Sequence, residues 1–260
     1  MKRPAAFALA LLWATPLIGG TAFGQTPDAR RSGFEEMSRE SQAMQRDDTA
    51  NPGMFAVLDG EELWKAKAGS AGASCADCHG NAETSMKGVA ARYPSFSAVR
   101  NAPVDLQGQI NICRETRQHA SPLPLEGHDL LALTAYVGRQ SRGMPIAPPD
   151  DVRLEPFRRQ GEALYKMRQG QLNFSCANCH EDHAGQSLAG SLIPQGHPSG
   201  YPLYRLEWQG IGSLQRRLRG CLVGVRAEPY SYGAPEYIAL ELFLMSRATG
   251  MSVETPAVRP

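Results

Sequence analysis

The sequence predicts a mainly α fold of two tandem domains related by internal duplication. Three observations carry this: a long ungapped repeat, helical spacing of apolar residues in corresponding segments, and one C-x-x-C-H motif in each copy. Gly60 to His79 (GEELWKAKAGSAGASCADCH) aligns without a gap on Gly161 to His180 (GEALYKMRQGQLNFSCANCH), at an offset of 101 residues. Ten of the twenty positions are identical, where chance supplies about one. Later features recur at a larger offset. Tyr93-Pro94 is echoed by Tyr201-Pro202, and Cys113 by Cys221, 108 residues on. Ser141-Arg142-Gly143-Met144 is echoed by Ser246-Arg247-Ala248-Thr249-Gly250-Met251. The second copy therefore carries a few extra residues between its motif and its third cysteine.

The elements follow in order. Lys2 and Arg3 precede an almost wholly apolar run from Ala5 to Ile18, and Ala22-Phe23-Gly24 supplies small residues for a peptidase. Residues 1–24 read as a cleaved secretory signal, which predicts an exported, periplasmic protein. Pro16 and Gly19-Gly20 interrupt the run before it reaches the length of a membrane span. Residues 25–50 are polar and read as an extension wrapping over the first domain, with an amphipathic helix over Phe34 to Met44. The first domain spans 25–150 with that extension, and the second spans 151–260. A Pro-rich turn at Ile146 to Asp151 separates them. Each domain opens with a helix, containing Leu63 and Trp64 or Leu164 and Tyr165, that runs towards its C-x-x-C-H motif. A Gly- and Pro-interrupted loop follows, then a short helix approaching the third cysteine. A closing helix comes last, near Gly127 to Gln140 and Pro235 to Arg247. Leu130, Leu131, Leu133 and Val137 have helical spacing there, as do Ile238, Leu240, Leu242 and Phe243.

Composition excludes several functions. Lys+Arg is 27 and Asp+Glu 26, a net charge of +1, and loss of Lys2 and Arg3 leaves 25 bases against 26 acids. Such a balance offers no field for nucleic acid or an anionic membrane, and no segment beyond the leader is long and apolar enough to span one. Aromatics make up only 7%, so something other than large side chains fills the core.

The cysteines say what that is. Cys75-Ala76-Asp77-Cys78-His79 and Cys176-Ala177-Asn178-Cys179-His180 have the attachment pattern of c-type haem. Two thiols one helical turn apart reach the two vinyl groups of one porphyrin, and the adjacent histidine becomes the proximal ligand. Zinc is the alternative for C-x-x-C, but it wants four ligands per site. Two covalently bound haem c groups and two tandem cytochrome c-like domains follow. For the sixth ligand, Met144 and Met251 lie after the closing helices, whereas Cys113 and Cys221 lie before them, where a small c-type domain places its distal ligand. His119, His128, His183 and His197 have no counterparts in the other copy and read as surface or structural residues. Two readings of Cys113 and Cys221 stay open: a mutual disulfide, which an oxidising compartment favours, or thiolate ligation of both irons, which explains why each copy keeps one cysteine.

The two lone cysteines differ in surroundings. Gly108 to Gln118 carries a net +1, whereas Arg216 to Arg226 holds four arginines and no acid. On a helix Arg217 and Cys221, at i and i+4, share one face. A guanidinium beside a thiol favours the thiolate and offers forked donors to an oxyanion. A solvated basic face is the plainer alternative. The second copy reads as catalytic, and the first as an electron relay or a retired site.

With two C-x-x-C-H motifs, a lone cysteine in each half and Arg217-Leu218-Arg219-Gly220-Cys221, the chain resembles the SoxA family. These are the dihaem cytochrome c subunits of SoxAX, an L-cysteine S-thiosulfotransferase. The resemblance covers essentially the whole mature chain. It implies that thiosulfate is joined oxidatively to a cysteine of the carrier protein SoxYZ, with electrons leaving through the haems to the single-haem SoxX subunit. It further implies His79 and His180 as proximal ligands, Cys113 and Cys221 as distal ligands, Cys221 as the active-site cysteine, often a persulfide in the family, and Arg217 as the residue that holds substrate. A dihaem electron carrier without substrate chemistry, a dihaem peroxidase and a haem-based sensor are the alternatives.

Overall fold

The computed structural model describes Met1 and residues 28–188 and 190–260, so the leader expected over 1–24 lies outside the described residues. Helices dominate. In chain order they are α1 (Arg39–Arg46), α2 (Gly53–Lys65), α3 (Cys75–His79), α4 (Ala82–Ser85), α5 (Leu106–Cys113), α6 (His128–Arg139), α7 (Glu155–Lys166), α8 (Cys176–His180), α9 (Leu214–Gly224) and α10 (Pro235–Arg247). Seven short strands join them: β1 (Ser95–Ser97), β2 (Ala102–Val104), β3 (Ser187–Leu188), β4 (Ser191–Leu192), β5 (Leu203–Arg205), β6 (Gly210–Gly212) and β7 (Ala257–Arg259). No helix among the described residues is long and apolar enough to cross a membrane.

The duplication is visible element by element. The antiparallel hairpin β1–β2 corresponds to β5–β6 at the 108-residue offset, and each follows a cis Tyr-Pro bond. The offset grows from 101 to 108 because seven residues are inserted after His180, where the hairpin β3–β4 stands. In each repeat the first and last helices cross face to face, α2 on α6 and α7 on α10. The crossing is close because a glycine sits at its centre. A side chain on Gly60 would overlap the Ala132 carbonyl, and one on Gly161 the Ala239 carbonyl. Trp64, Leu133, Tyr136 and Val137 build the first core, and Tyr165, Tyr237, Leu240 and Leu244 the second. The predicted closing helices match α6 and α10 to within a residue.

The two repeats meet through the segments that follow those closing helices. Gly143 N–H donates to Val253 O (2.8 Å), Val253 N–H to Met144 O (2.9 Å), and Ile146 N–H to Met251 O (2.8 Å). Ala91, Ile146, Ala248 and Val253 form a buried cluster around this pairing. The predicted inter-domain turn thus begins in core, with Ile146 only 1% exposed.

The N-terminal extension departs from expectation in two ways. Its helix is Arg39–Arg46, capped by the Ser38 hydroxyl accepting from Ser41 N–H, rather than Phe34 to Met44. It also lies mainly on the second repeat's side of the molecule, not over the first domain. Gln45 Oε1 accepts from Val258 N–H (3.0 Å) and from Arg259 (2.5 Å), and Asn51 Nδ2 donates to Pro256 O (2.9 Å). It also reaches the first repeat, where Asp48 pairs with Arg139 (2.9 Å) and Arg142 (2.5 Å).

A cavity of about 90 Å³ lies between the repeats, lined in near-symmetric pairs that include Tyr93 with Tyr201 and Asp105 with Ser213. Gln215 donates to Asp105 Oδ2 (3.3 Å), while Asp105 Oδ1 caps α5 by accepting from Gly108 N–H (2.7 Å). Glu241, also buried there, has its carboxyl pushed well above the usual range, by burial first and by the charge of Asp105 second. The native carboxyl therefore holds its proton to a higher pH than the unfolded one does. Its contribution is therefore whole below the unfolded value of about 4.3 and is lost as pH rises towards the native one. Glu241→Gln mimics the protonated form. The expected result is a variant that outlasts the parent in urea at pH 8, with the difference closing at pH 5. A constant difference across that range would contradict it.

Candidate active site

Each C-x-x-C-H motif is a one-turn helix set by a capping box. In the first, Ser74 Oγ accepts from Asp77 N–H (3.1 Å) and Asp77 accepts from Ser74 N–H (2.7 Å). In the second, Ser175 and Asn178 make the same two bonds at 3.2 and 3.1 Å. The residue between the cysteines is thus chosen for its cap, and the cap fixes both thiols and the histidine on one short turn.

The lone cysteines are brought to these turns by a shared backbone contact. Gly170, at φ +68°, lies so close to the Val225 carbonyl that a side chain would overlap it, and Leu172 N–H donates to Val225 O (3.3 Å). This ties the loop before α8 to the end of α9. Gly69, at φ +62°, does the same against Gln118 O in the first repeat, with Ala71 N–H donating there (3.2 Å). The positive φ and the absent Cβ are both required. No disulfide joins any of the six cysteines, and Cys113 and Cys221 each lie beside their own repeat's motif. Met251 packs at the inter-repeat cluster, and Met144 lies against Gly88.

Cys221, on α9, faces His180. Burial pushes its thiol up. The bond with His180 and the charges of Arg217 and Arg205 outweigh that and hold it below the usual thiol range. The same buried space pushes Cys176 up to about 11, by burial first and the charge of Cys221 second. Tyr201 lies beside Cys221 as well, its phenol pushed up to about 12 by burial. On the opposite side, His180 Nδ1 bonds to Pro194 O (2.7 Å). A carbonyl only accepts, so Nδ1 carries a proton in this bond.

The arginines of α9 divide by task. Arg216 stacks on Trp208, with 4.4 Å from guanidinium carbon to ring centroid. Arg219 stacks on Tyr232 (4.7 Å) and donates to Tyr230 O. Arg217 makes no ion pair among the described residues, and it is half-buried one turn before Cys221. A second cation joins it that the sequence reading missed: Arg205, at the end of β5. Burial and the charge of Arg217 press its guanidinium towards the neutral form, and its Nε is buried without a partner. Glu207 pairs with its outer nitrogen at 2.8 Å. Two guanidiniums that repel each other beside a thiol offer forked donors, and an oxyanion placed between them would relieve the repulsion. Arg205 corresponds to Ser97 in the first repeat, a difference the sequence does contain.

The first repeat serves as an internal comparison. Where the second has Arg217, it has Gln109, whose Nε2 donates to Cys113 Sγ at 3.4 Å. A neutral amide occupies the place of the cation. His79 has the Trp64 ring 5.7 Å away, and Trp64 Nε1 donates to Gly80 O (3.0 Å). Of the remaining histidines, His183 bonds Asn178 O (2.6 Å) and His128 bonds Asp59 (3.0 Å), both on the surface. His197 is half-buried and neutral, lowered to about 4 by burial and then by Arg247.

This donor set fits a haem c in each repeat. Two thiols and a histidine share a turn, a further thiol sulfur lies beside them, and apolar side chains (Leu164, Leu214, Leu218 and Phe243 in the second repeat) pack in the same cluster as Cys176.

Comparison with known proteins agrees. The family model for the SoxA/TsdA cytochrome c domain matches twice, over residues 59–146 and 160–253. The chain is similar to the L-cysteine S-thiosulfotransferase subunit SoxA of Pseudaminobacter salicylatoxidans, with 41% identity over 91% of this chain and 83% of that one. The SoxA subunit of Paracoccus pantotrophus is 35% identical over 90% of this chain and 80% of its own. Among solved structures, a chain in the crystal structure of SoxXA from P. pantotrophus superposes with a TM-score of 0.85 at 34% identity, covering 89% of this chain and 87% of that one. The chain therefore belongs to the SoxA family of haem c-binding cytochromes, the SoxA subunits of L-cysteine S-thiosulfotransferases.

Proposed function

We propose that this chain carries two haem c groups and couples thiosulfate to a cysteine of the carrier SoxYZ, with SoxX taking the electrons away. The observation that carries the reading is Cys221 facing His180 under two half-buried guanidiniums, Arg217 and Arg205. Cys75 and Cys78, and Cys176 and Cys179, attach the haems. His79 and His180 are proximal ligands, and Cys113 and Cys221 distal ones. The leader is 1–24, the first domain 25–150 and the catalytic domain 151–260, in a periplasmic protein.

When bound, the haem supplies a one-electron acceptor whose potential a thiolate ligand lowers. The chain's own residues do the rest. Arg217 and Arg205 hold the sulfonate oxygens of thiosulfate and aim its outer sulfur at Cys221 Sγ. A sulfur–sulfur bond forms between the Cys221 thiolate and that outer sulfur, and two electrons depart. The dianion and the thiolate thereby become one S-thiosulfonate monoanion on Cys221. The carrier's thiolate then attacks the outer sulfur, takes the group and returns Cys221 as thiolate. The guanidiniums of Arg217 and Arg205 favour the Cys221 thiolate, the form that attacks and the form that leaves.

The test mixes the haem-loaded chain and SoxX with SoxYZ, thiosulfate and an oxidised electron acceptor. The expected result is one thiosulfonate adduct on a single SoxYZ cysteine, seen by mass, with two electrons reaching the acceptor per adduct. Acceptor reduction with no adduct would return the chain to a simple electron carrier.

A further inference from the structure

We propose that the start of the N-terminal extension, residues 29–31, acts with Gln195 and Arg247 as a clamp that positions His180 from behind. The inference rests on the reading of His180 as an axial ligand. Its basis is a chain of hydrogen bonds. His180 Nδ1–H donates to Pro194 O at 2.7 Å. The next residue, Gln195, is gripped from outside: Arg31 N–H donates to Gln195 Oε1 (2.8 Å), and Gln195 Nε2 donates to Ala29 O (3.3 Å). The side-chain amide thus pairs with the extension as a neighbouring strand would. Gly196, at φ +73°, follows, and a Cβ there would stand 3.1 Å from His180 Cγ, so the loop lies flat on the imidazole.

Arg247 closes the arrangement. It stacks on Tyr165 at 4.7 Å, donates to the Tyr165 hydroxyl (2.9 Å) and to Gln195 O (3.4 Å), and pairs with Glu181, next to His180, at 3.2 Å. Arg30 locks the end of the same helix, donating from Nη1 to Arg247 O and Thr249 O, both at 2.9 Å. Asp28 holds the Arg30 guanidinium in place (2.7 Å). The loop from 194 to 197 ends the segment that carries the seven-residue insertion. The insertion and the extension are therefore two additions that meet at one point, behind the proximal histidine of the repeat that holds Arg217 and Arg205. In the first repeat Trp64, the counterpart of Tyr165, stands near His79.

The physical consequence lies in the imidazole. A hydrogen bond from Nδ1 to a fixed carbonyl sets the tautomer and ring plane and makes Nε2 a stronger donor, which favours the oxidised iron. Gln195, Arg30 and Arg247 touch neither substrate nor iron, so they are positioning residues. Loosening the clamp frees the Pro194 carbonyl to drift, and the second haem becomes easier to reduce.

The test uses the full haem-loaded chain with its SoxX partner, in the variants Gln195→Ala, Arg30→Ala and Arg30→Lys. Each haem is followed separately by EPR during a redox titration. In both alanine variants the reduction equilibrium of the second haem is expected to shift about tenfold towards the reduced form, which is about 59 mV for one electron. Its low-spin g values should move as well. The first haem should not change, and Arg30→Lys, which keeps a cation for the two carbonyls, should restore the parent values. Unshifted second-haem potentials in both alanine variants would overturn the clamp, and so would equal shifts in both haems, which mean general loosening. Cys221→Ala is read alongside. Loss of its signal with unshifted clamp variants sinks the clamp alone. A shift in the clamp variants with the Cys221→Ala signal intact sinks only the distal assignment.

Discussion

Cys221→Ala is expected to lower thiosulfate-coupling turnover at least about 10³-fold, the scale on which an enzyme loses rate when its nucleophile is removed. One low-spin thiolate signal should vanish from the EPR spectrum with it. Cys113→Ala is the matched control. It should remove the other thiolate signal and leave most of the turnover, because the neutral amide of Gln109 stands where the second repeat has Arg217. The pair of variants tests both roles given to the cysteine. If both abolish turnover equally, the first haem lies on the obligatory electron path and the first repeat is no retired site. If Cys221→Ala keeps both signals and its turnover, Cys221 neither binds iron nor carries sulfur, and the chain is an ordinary electron carrier. Both sites stay folded in these variants, since the cores on Trp64 and Tyr165 lie on the helix crossings and do not depend on either thiol.

How much of this was legible in the sequence depends on whether a feature repeats. The helices, the motif turns and the lone cysteine on the helix before each closing helix all recur in the same order, and a repeat supplies its own alignment. The Gly60 and Gly161 crossings are legible in the same way, as two invariant points of the duplication. Features present once were harder. The extension was placed over the wrong domain because what anchors it is a set of single side chains, Gln45, Asn51 and Arg30, bonding backbone carbonyls and amides near the C-terminus. Such bonds leave no periodicity. Arg205 was missed because it reaches the site from a strand, sixteen residues before Cys221, and so shares no helical face with it. Comparing the repeats position by position, Arg205 against Ser97, would have flagged it. The Asp105–Glu241 pair joins residues far apart in the chain, across the interface between the repeats.

That comparison also yields the sharpest expectation for substrate binding. Arg217→Gln installs in the second repeat the residue the first repeat already carries at the same position, Gln109, so the variant side chain has a working precedent beside a cysteine sulfur. Removing a charged partner from an oxyanion costs about 1.5–3 kcal/mol, which is roughly a 10- to 150-fold loss. The expected loss in kcat/KM for thiosulfate lies in that range, most of it in KM, because the guanidinium holds the sulfonate before the sulfur–sulfur bond forms and while it forms. Arg217→Lys should recover only part of the loss, since an ammonium keeps the charge but not the two-pronged donor. Arg205→Gln should cost less alone, because Glu207 already takes one of its nitrogens. The double variant should fall short of the product of the two single losses, as residues sharing one ligand do. The second haem's low-spin signal should persist throughout, since Cys221 and His180 are untouched. An Arg217→Gln protein with unaltered kcat/KM would mean the arginine is a solvated surface charge, and the anion site would have to be sought elsewhere on the second repeat.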